Sequence, residues 1–480
     1  MKRDDNFAAN VLRLAMVFAF AGLCVVSACR TAEAQHDFDW KSDWAIEEGF
    51  SINIDTEGYH FPTAIAFVPN PGKTDKSPLY FVTELRGKVK VVTNDRTVYT
   101  FVEDFFQLKP KQELPSVEGT VGLAGICLDP KHGYVFVTFA YQDTRGVLRN
   151  NIIRFQTTPK IFSIESAARL SFADLFSDYE IGINHQIGSC QVKDDLLYVS
   201  VGDALKPGES QRIDSLLGKV IRMTLEGQPV PENPFYRDND IKKAENYAWA
   251  IGLRNPFGLK IVGDRVFVFD NGSDIDRFLE IHQGENYLWN GSDWSIGTNA
   301  AFVLAPSLGP AQMDFYPSTA PPFLKDYGGY FFTATYANWD GKQPGIVSVR
   351  YNFADNKVAN VPRYFLKYRG SSGQNLVGLA FGPDGLYFAP VHPNREGKSV
   401  IFKITYDPAR AHPFELTDKK ANSPSEKNET IDFRIVLQKL FPTLQYRHLL
   451  IFSIAGIVVG IFLRSIAKFI LSLSAKKKQS

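Results

Sequence analysis

The stretch GPDGLYFAP at residues 382–390 decides the fold: a Pro-Asp-Gly turn launches a short apolar and aromatic run that stops at a proline. VKDDLLYVSVGD at 192–203 repeats the pattern with an acidic turn. Working outward, TAIAFVP, LYFVTE, KVKVV, YVFVTFAY, RVFVFDNG and YFFTATY are further runs of the same kind between about residues 45 and 408. No long helical periodicity interrupts them. Many short strands of similar spacing, with a weak internal echo, are expected of an all-β propeller. Radial blades leave only short edges and create a central channel where loops from several blades converge, so a site is expected there.

Composition narrows the function classes. Lys and Arg total 53 against 52 Asp and Glu, a net charge of +1, and no basic stripe runs through the long middle region, which argues against nucleic acid as a partner. Aromatic residues make up 13%, with 38 Phe and 20 Tyr, a bias that suits pleated, half-buried surfaces. Of four cysteines, Cys24 and Cys29 lie near the N-terminus, leaving Cys127 and Cys190 in the body, too few for a disulfide framework. With no CxxCH for haem and no CxxC pair for a zinc ribbon, redox chemistry must borrow another cofactor.

GLRNPFGL at 252–259 places Arg254 and Asn255 immediately before a proline, which pushes its predecessor into an extended conformation and stiffens the turn. Such a pair suits a planar, oxygen-rich ligand. The stretch resembles the GxRNPxG signature of soluble pyrroloquinoline quinone (PQQ) dependent sugar dehydrogenases, the glucose/sorbosone dehydrogenase family. NHQIGSCQVKDDLLYVSVGD at 184–203 resembles the family's HNGG block, its following strand and its Gly-Asp pair. The likeness covers roughly residues 45–405 and implies a six-bladed β-propeller that oxidises the anomeric or aldehyde carbon of a sugar. It gives His185 the role of general base, Asp203 that of orienting it, and Arg254 and Asn255 that of contacting PQQ. It also implies calcium held largely by backbone carbonyls at Gly272 and Ser273, within DNGSDIDRFLEIHQGENYLWN at 270–290. Asp270, Asp274 and Asp276 are able to add charge there, or are simply solvated. Lys219 and Arg222, in SLLGKVIRMTLEGQPVPENPFY at 215–236, read as strand-surface charges with an architectural role.

The chain departs from the family pattern at several places. Val121 stands before GLAGICLDP (122–130) where a polar residue is frequent, Arg277 replaces a glutamate, and Leu288 replaces the glycine of NYGW. GQNLVGLAFGPDGLYF (373–388) lacks the paired arginines of some glucose-oxidising members, and ATYANWDGKQPG (334–345) has Tyr336, Asp340 and Gly341 for His, Asn and Arg. PQQ carries three carboxylates, so Lys342, Arg363, Lys367 or Arg369, otherwise surface charges, are the candidates to compensate. The alternatives to a dehydrogenase are a non-catalytic propeller that binds carbohydrate or protein, and a calcium-dependent propeller hydrolase. A dehydrogenase needs a separate electron acceptor, a quinone or cytochrome, because the chain has none built in.

The ends predict export and tethering. Residues 1–34 read as a signal peptide or N-terminal anchor, with a cut after Ala34 competing with lipidation at Cys29. The propeller is expected over 45–408 and a flexible tether over 409–445. Residues 446–473, around LLIFSIAGIVVGIFL at 449–463, are expected to form a transmembrane helix if Arg464 and Lys468 snorkel, with an interfacial helix as the rival. The basic tail 474–480 puts the C-terminus in the cytoplasm and the propeller on the periplasmic or extracellular side. Gly456 and Gly460 form a GxxxG, read either as lipid-facing packing or as a homodimer face.

Overall fold

The apolar runs LYFVTE, YVFVTFAY, LLYVSVGD, RVFVFDNG, YFFTATY and GLYFAP each become the second strand of a separate antiparallel sheet in the computed structural model, giving six blades. The structure describes residues 43–106, 121–293, 299–317, 327–336, 342–371, 373–394 and 396–407. Blade 1 contains Pro62–Phe67, Pro78–Glu84, Lys88–Thr93 and Val98–Val102. Blade 2 contains Leu123–Asp129, Tyr134–Gln142, Leu148–Gln156 and Ala168–Ser171, and blade 3 Ile187–Lys193, Leu196–Val201, Lys219–Thr224 and Ala248–Ile251. Blade 4 follows with Gly258–Val262, Arg265–Asp270, Asp276–Ile281 and Phe302–Leu304. Blade 5 is built on Pro310–Tyr316, Tyr330–Thr335, Gly345–Asn352 and Arg363–Tyr368, and blade 6 on Leu376–Gly382, Gly385–Pro390 and Val400–Tyr406. The first strand of each blade touches the first strand of the next, and blade 6 returns to blade 1, which closes the ring.

Two N-terminal strands complete the last blades. Phe50–Glu57 pairs with Val400–Tyr406 as the outer strand of blade 6, and Trp44–Ile46 pairs with Arg363–Tyr368 in blade 5. Joining the two ends of the propeller in this way covers edges that would otherwise offer unpaired backbone groups.

The core is divided among the interfaces between blades. Along each second strand, successive side chains point to opposite faces, so alternate residues feed the two flanking cores. In blade 1, Phe81 packs toward blade 2 while Tyr80 and Val82 pack toward blade 6. In blade 4, Val266 and Val268 meet blade 3, and Phe267 and Phe269 meet blade 5. This two-sided burial explains why these strands read as unbroken apolar runs rather than as alternating patterns. Each side chain so buried contributes about 1.5–3 kcal/mol.

Around the channel the blades approach closely. A Cβ on Gly125 would lie 2.7 Å from the Gly188 carbonyl, and one on Gly188 would lie 3.2 Å from the Phe257 backbone, so only glycine fits where blades 2, 3 and 4 converge. Register shifts occur near the start of five of the six inner strands, at Pro62/Ala64, Leu123/Gly125, Ile187/Cys190, Pro310/Met313 and Leu376/Gly378. Such bulges re-aim side chains at a rim.

One sequence expectation needs correction, and one pairing was not foreseen. Cys127 and Cys190, too few for a disulfide framework, form a single disulfide, which joins the inner strands of blades 2 and 3 across 63 residues of chain. Lys219 and Arg222 are not strand-surface charges: both are buried. The Lys219 Nζ donates to the carbonyls of Glu209, Ser210 and Leu217 at 3.0, 3.0 and 2.7 Å, and Arg222 Nε donates to Asn233 Oδ1 at 2.7 Å. Backbone carbonyls of the 207–217 segment fold over the lysine and replace its water.

Residues 1–42 and 408–480 lie outside the described residues, and with them the expected leader, tether, apolar segment and basic tail. The described residues all fall in one unit, and the second unit, Phe414–Ser480, lies outside them. Among the described residues no helix is long and apolar enough to cross a membrane.

Candidate functional site

Blade 3 brings the histidine and the aspartate together. The loop holding His185 leads into its inner strand at Ile187, and its second strand ends at Val201, so both residues emerge at one end of the channel. His185 sits in the left-handed region with φ 56°, and its carbonyl accepts the Ala204 N–H at 2.9 Å. The ring Nδ1 lies 2.7 Å from Asp203 Oδ1. Asp203 is fully buried and also accepts the Leu205 N–H at 2.9 Å and the Trp289 indole N–H at 2.8 Å. With donors converging on the carboxylate, Nδ1 is assigned as the protonated nitrogen, which leaves the Nε2 lone pair available.

The GLRNPFGL turn is held from below by Asp270, also fully buried. Its carboxylate accepts the backbone N–H of Arg254 at 3.1 and 3.2 Å and that of Asn255 at 2.7 Å. Arg277 neutralises it, with Nε and Nη2 at 3.0 and 2.9 Å, and donates further to the Gly252 carbonyl at 3.0 Å and to the Tyr287 carbonyl. The Arg254 guanidinium reaches up to the Asn271 carbonyl at 2.7 Å and Ser273 Oγ at 3.2 Å. It also lies 5.6 Å from the centre of the Trp289 ring, within cation–π range. Trp289 therefore touches both Asp203 and Arg254.

The loop expected to hold a cation is built differently from the sequence reading of its acids. Gly272 and Ser273 face the cavity. Asp270 is committed to Arg277, and Asp276 lies buried beneath the loop, accepting from Gly272 N at 3.2 Å, Ser307 Oγ at 2.8 Å, Gly309 N at 3.1 Å and Leu308 N. Burial pushes the Asp276 carboxyl up to about 6, against the pull of those donors. No group of three or more His, Cys, Asp or Glu able to hold a metal occurs among the described residues. A cation here would rely on neutral oxygens, among them the Gly272 carbonyl and Asn271 Oδ1, a buried acceptor without a hydrogen-bond partner.

These groups surround one cavity of about 410 Å³ at the channel mouth, a size suited to a small molecule. His185, Arg254, Asn255, Gly272 and Ser273 all line it, and Asp203 stands behind His185. Leu123, Ile187, Phe257, Val377 and Val391 make its other walls apolar. Arg254 is the only cation among the described lining residues. Arg363 instead pairs with Glu47 at 3.2 Å, Lys367 lies over the Tyr364 ring, and neither these nor Lys342 and Arg369 reach the cavity wall. Val121 is buried off the cavity, its carbonyl accepting from Arg86 at 3.0 Å, while Tyr336 does line it; Asp340 and Gly341 are outside the described residues. Sequence reasoning missed Trp289 and Ser307. The indole of NYLW offered a signal, since a buried tryptophan N–H needs an acceptor.

Three comparisons place the chain among known proteins. The family model described as Glucose / Sorbosone dehydrogenase matches residues 59–343. An uncharacterised protein of Synechocystis is 25% identical over 359 residues, covering 68% of this chain and 81% of the relative. The aldose sugar dehydrogenase YliI of Escherichia coli is 28% identical over 103 residues, which is 21% of this chain and 27% of that protein. Among solved structures, the PQQ-bound aldose sugar dehydrogenase of Streptomyces coelicolor superposes with a TM-score of 0.54 at 20% identity, over 75% of this chain and 100% of the other. The soluble aldose sugar dehydrogenase of Escherichia coli in its apo form gives 0.55 at 17% identity, over 74% and 99%. At such identities the superpositions speak for the fold.

Proposed function

The chain belongs to the glucose/sorbosone dehydrogenase family, and from that premise we propose that it oxidises an aldose or related aldehyde at its anomeric carbon, with PQQ as hydride acceptor and calcium beside it. The observation that carries this reading is the convergence of the Trp289–Asp203–His185 chain and the Arg254–Asn255 turn on one cavity.

The residues fit the cofactor at its quinone edge. Arg254 and Asn255 would hold ring oxygens, the apolar walls suit a flat aromatic body, and Asn271 Oδ1 with the carbonyls of Gly272 and Ser273 would serve calcium. PQQ, when bound, supplies the two-electron acceptor that takes the hydride from the substrate carbon. His185 Nε2 accepts the proton of the C1 hydroxyl as that hydride leaves, so a lactol becomes a lactone. Asp203 keeps the imidazole in the tautomer that can accept, and stabilises it once charged. Arg254 presents a fixed positive charge where negative charge gathers during the transfer, held in place by the Asn271 carbonyl and Trp289. A separate quinone or cytochrome would take up the electrons, since the described residues include no cluster of His, Cys, Asp and Glu to hold a redox metal. We place the propeller outside the cytoplasmic membrane, tethered through residues 446–473, as the polarity of the two ends suggests.

Dye-linked oxidation by the PQQ-supplemented protein tests the assignment. His185→Ala should abolish turnover while PQQ still binds, and Arg254→Ala should weaken both. Unchanged turnover in either variant would remove the assigned roles.

A further inference from the structure

Arg277 is fully buried on the third strand of blade 4, and its guanidinium bonds two separate parts of the site. On one side Nε and Nη2 donate to Asp270 Oδ2 at 3.0 and 2.9 Å, and the same carboxylate receives the backbone N–H groups of Arg254 and Asn255. On the other, Nη2 donates to the Gly252 carbonyl at 3.0 Å and Nη1 to that of Tyr287. The Gly252 carbonyl also accepts the Trp289 N–H at 2.9 Å, and the Tyr287 N–H donates to the Ile251 carbonyl at 2.8 Å. These bonds lash the segment that carries Trp289 to the strand end before Arg254. The Trp289 indole N–H then reaches Asp203 Oδ2 at 2.8 Å, and Asp203 Oδ1 lies 2.7 Å from the His185 ring. One guanidinium is thus joined to the cation through Asp270 and to the base through Trp289.

Stability does not explain the choice of residue. Taking a guanidinium and a carboxylate out of water costs several kcal/mol for each ion, and apolar residues of similar volume often replace such a pair without loss. What they do not copy is a planar fork whose N–H directions are fixed, and neither does the single ammonium of a lysine. The family resemblance puts a glutamate at this position, so the fork belongs to this chain. We propose that Arg277 is a positioning residue for the oxidation: it fixes the Arg254 turn relative to the His185–Asp203 pair, and through that spacing sets the rate of the chemical step rather than the affinity for sugar. The inference rests on the dehydrogenase reading of the same site.

The test removes both charges together. The Asp270→Asn/Arg277→Gln double variant leaves no buried ion unpaired and keeps an acceptor beneath the turn, so it should fold with an unfolding midpoint close to that of the unaltered protein. Should it unfold, Arg277→Lys, which keeps the charge against Asp270 and gives up the fork, carries the same readouts. Trp289→Phe keeps a ring beside Arg254 and removes the indole N–H. The first readout on the full-length chain needs neither cofactor nor sugar: hydrogen exchange of the Trp289 indole N–H, followed by NMR with isotope-labelled tryptophan and assigned by its loss in Trp289→Phe. Exchange should be roughly tenfold faster in the double variant. The second is dye-linked turnover per PQQ-bound site, in which kcat should fall roughly tenfold to a hundredfold while KM for glucose stays within about twofold. Adding Trp289→Phe to the double variant should lower kcat by less than the same change does in the unaltered protein. Unchanged exchange or unchanged kcat in a folded double variant overturns the proposal, as does an additive loss of kcat from the two changes. Faster exchange in a protein that oxidises no aldose keeps the positioning role and removes the dehydrogenase reading; turnover of glucose with exchange and kcat both unaltered does the reverse.

Discussion

Arg277 is fully buried against an equally buried Asp270, and the same guanidinium bonds the carbonyls of Gly252 and Tyr287. Removing it would leave a carboxylate uncompensated beneath the Arg254–Asn255 turn. Arg277→Met is therefore expected to destabilise the protein by roughly 3–5 kcal/mol, measured by urea unfolding. Lys219 makes a second prediction. Burial pushes its ammonium down to about 7, with Glu209 and Asp214 opposing the shift. Its folded value lies below the unfolded one near 10.5, so between those values the unfolded chain binds more protons and stability rises with pH. The penalty is full below about pH 7 and relieved toward pH 10. The melting temperature of the unaltered protein should climb across that window relative to Lys219→Met; parallel curves would contradict the burial argument. Both residues show where reading stopped. A charge in a strand motif looks the same whether it faces water or a loop folded over it, and the sequence around Lys219 does not reveal that carbonyls of residues 209–217 return to accept its hydrogen bonds. His185, Asp203 and Arg254 were legible because their motifs fix local backbone as well as residue type.

At the scale of elements, legibility followed burial. The second strand of every blade stood out because it packs on both faces, as Phe331 toward blade 4 and Phe332 toward blade 6 show. SINIDTE in Phe50–Glu57 alternates apolar and polar residues on an outer edge, and Trp44–Ile46 is only three residues long, so neither announced that it completes a blade begun hundreds of residues later. The inner strands were blurred by the glycines and bulges that let blades converge. Pairing of Cys127 with Cys190 was equally hidden, since only the ring places blades 2 and 3 side by side. Closing 63 residues of chain, this bridge is worth roughly 4 kcal/mol by loop entropy. The Cys127→Ser/Cys190→Ser double variant should unfold at correspondingly lower denaturant, and an unchanged midpoint under oxidising conditions would show that the bridge does not form.

The propeller is a ring of interfaces rather than one central core, and this arrangement governs the site. Each cavity wall comes from a different blade: Leu123 from blade 2, His185 before blade 3, Arg254 before blade 4, Ala311 from blade 5 and Val377 from blade 6. The groups thus hold their positions only while the ring is closed, with Gln312 tying blade 5 to Ile65 of blade 1 and Leu379 of blade 6 at 2.7–3.0 Å. The ring supplies the cavity, and Arg254 is the one arginine among its described lining residues, so PQQ with its three carboxylates would meet a single guanidinium there. The most direct measurement is a titration of the purified protein with PQQ and calcium, followed by the cofactor's absorbance and then by addition of aldoses. Saturable binding with reduction of the quinone on adding sugar is the predicted result. No binding at tens of micromolar PQQ, or bound PQQ that no aldose reduces, would contradict it and leave the propeller as a binding module or a hydrolase.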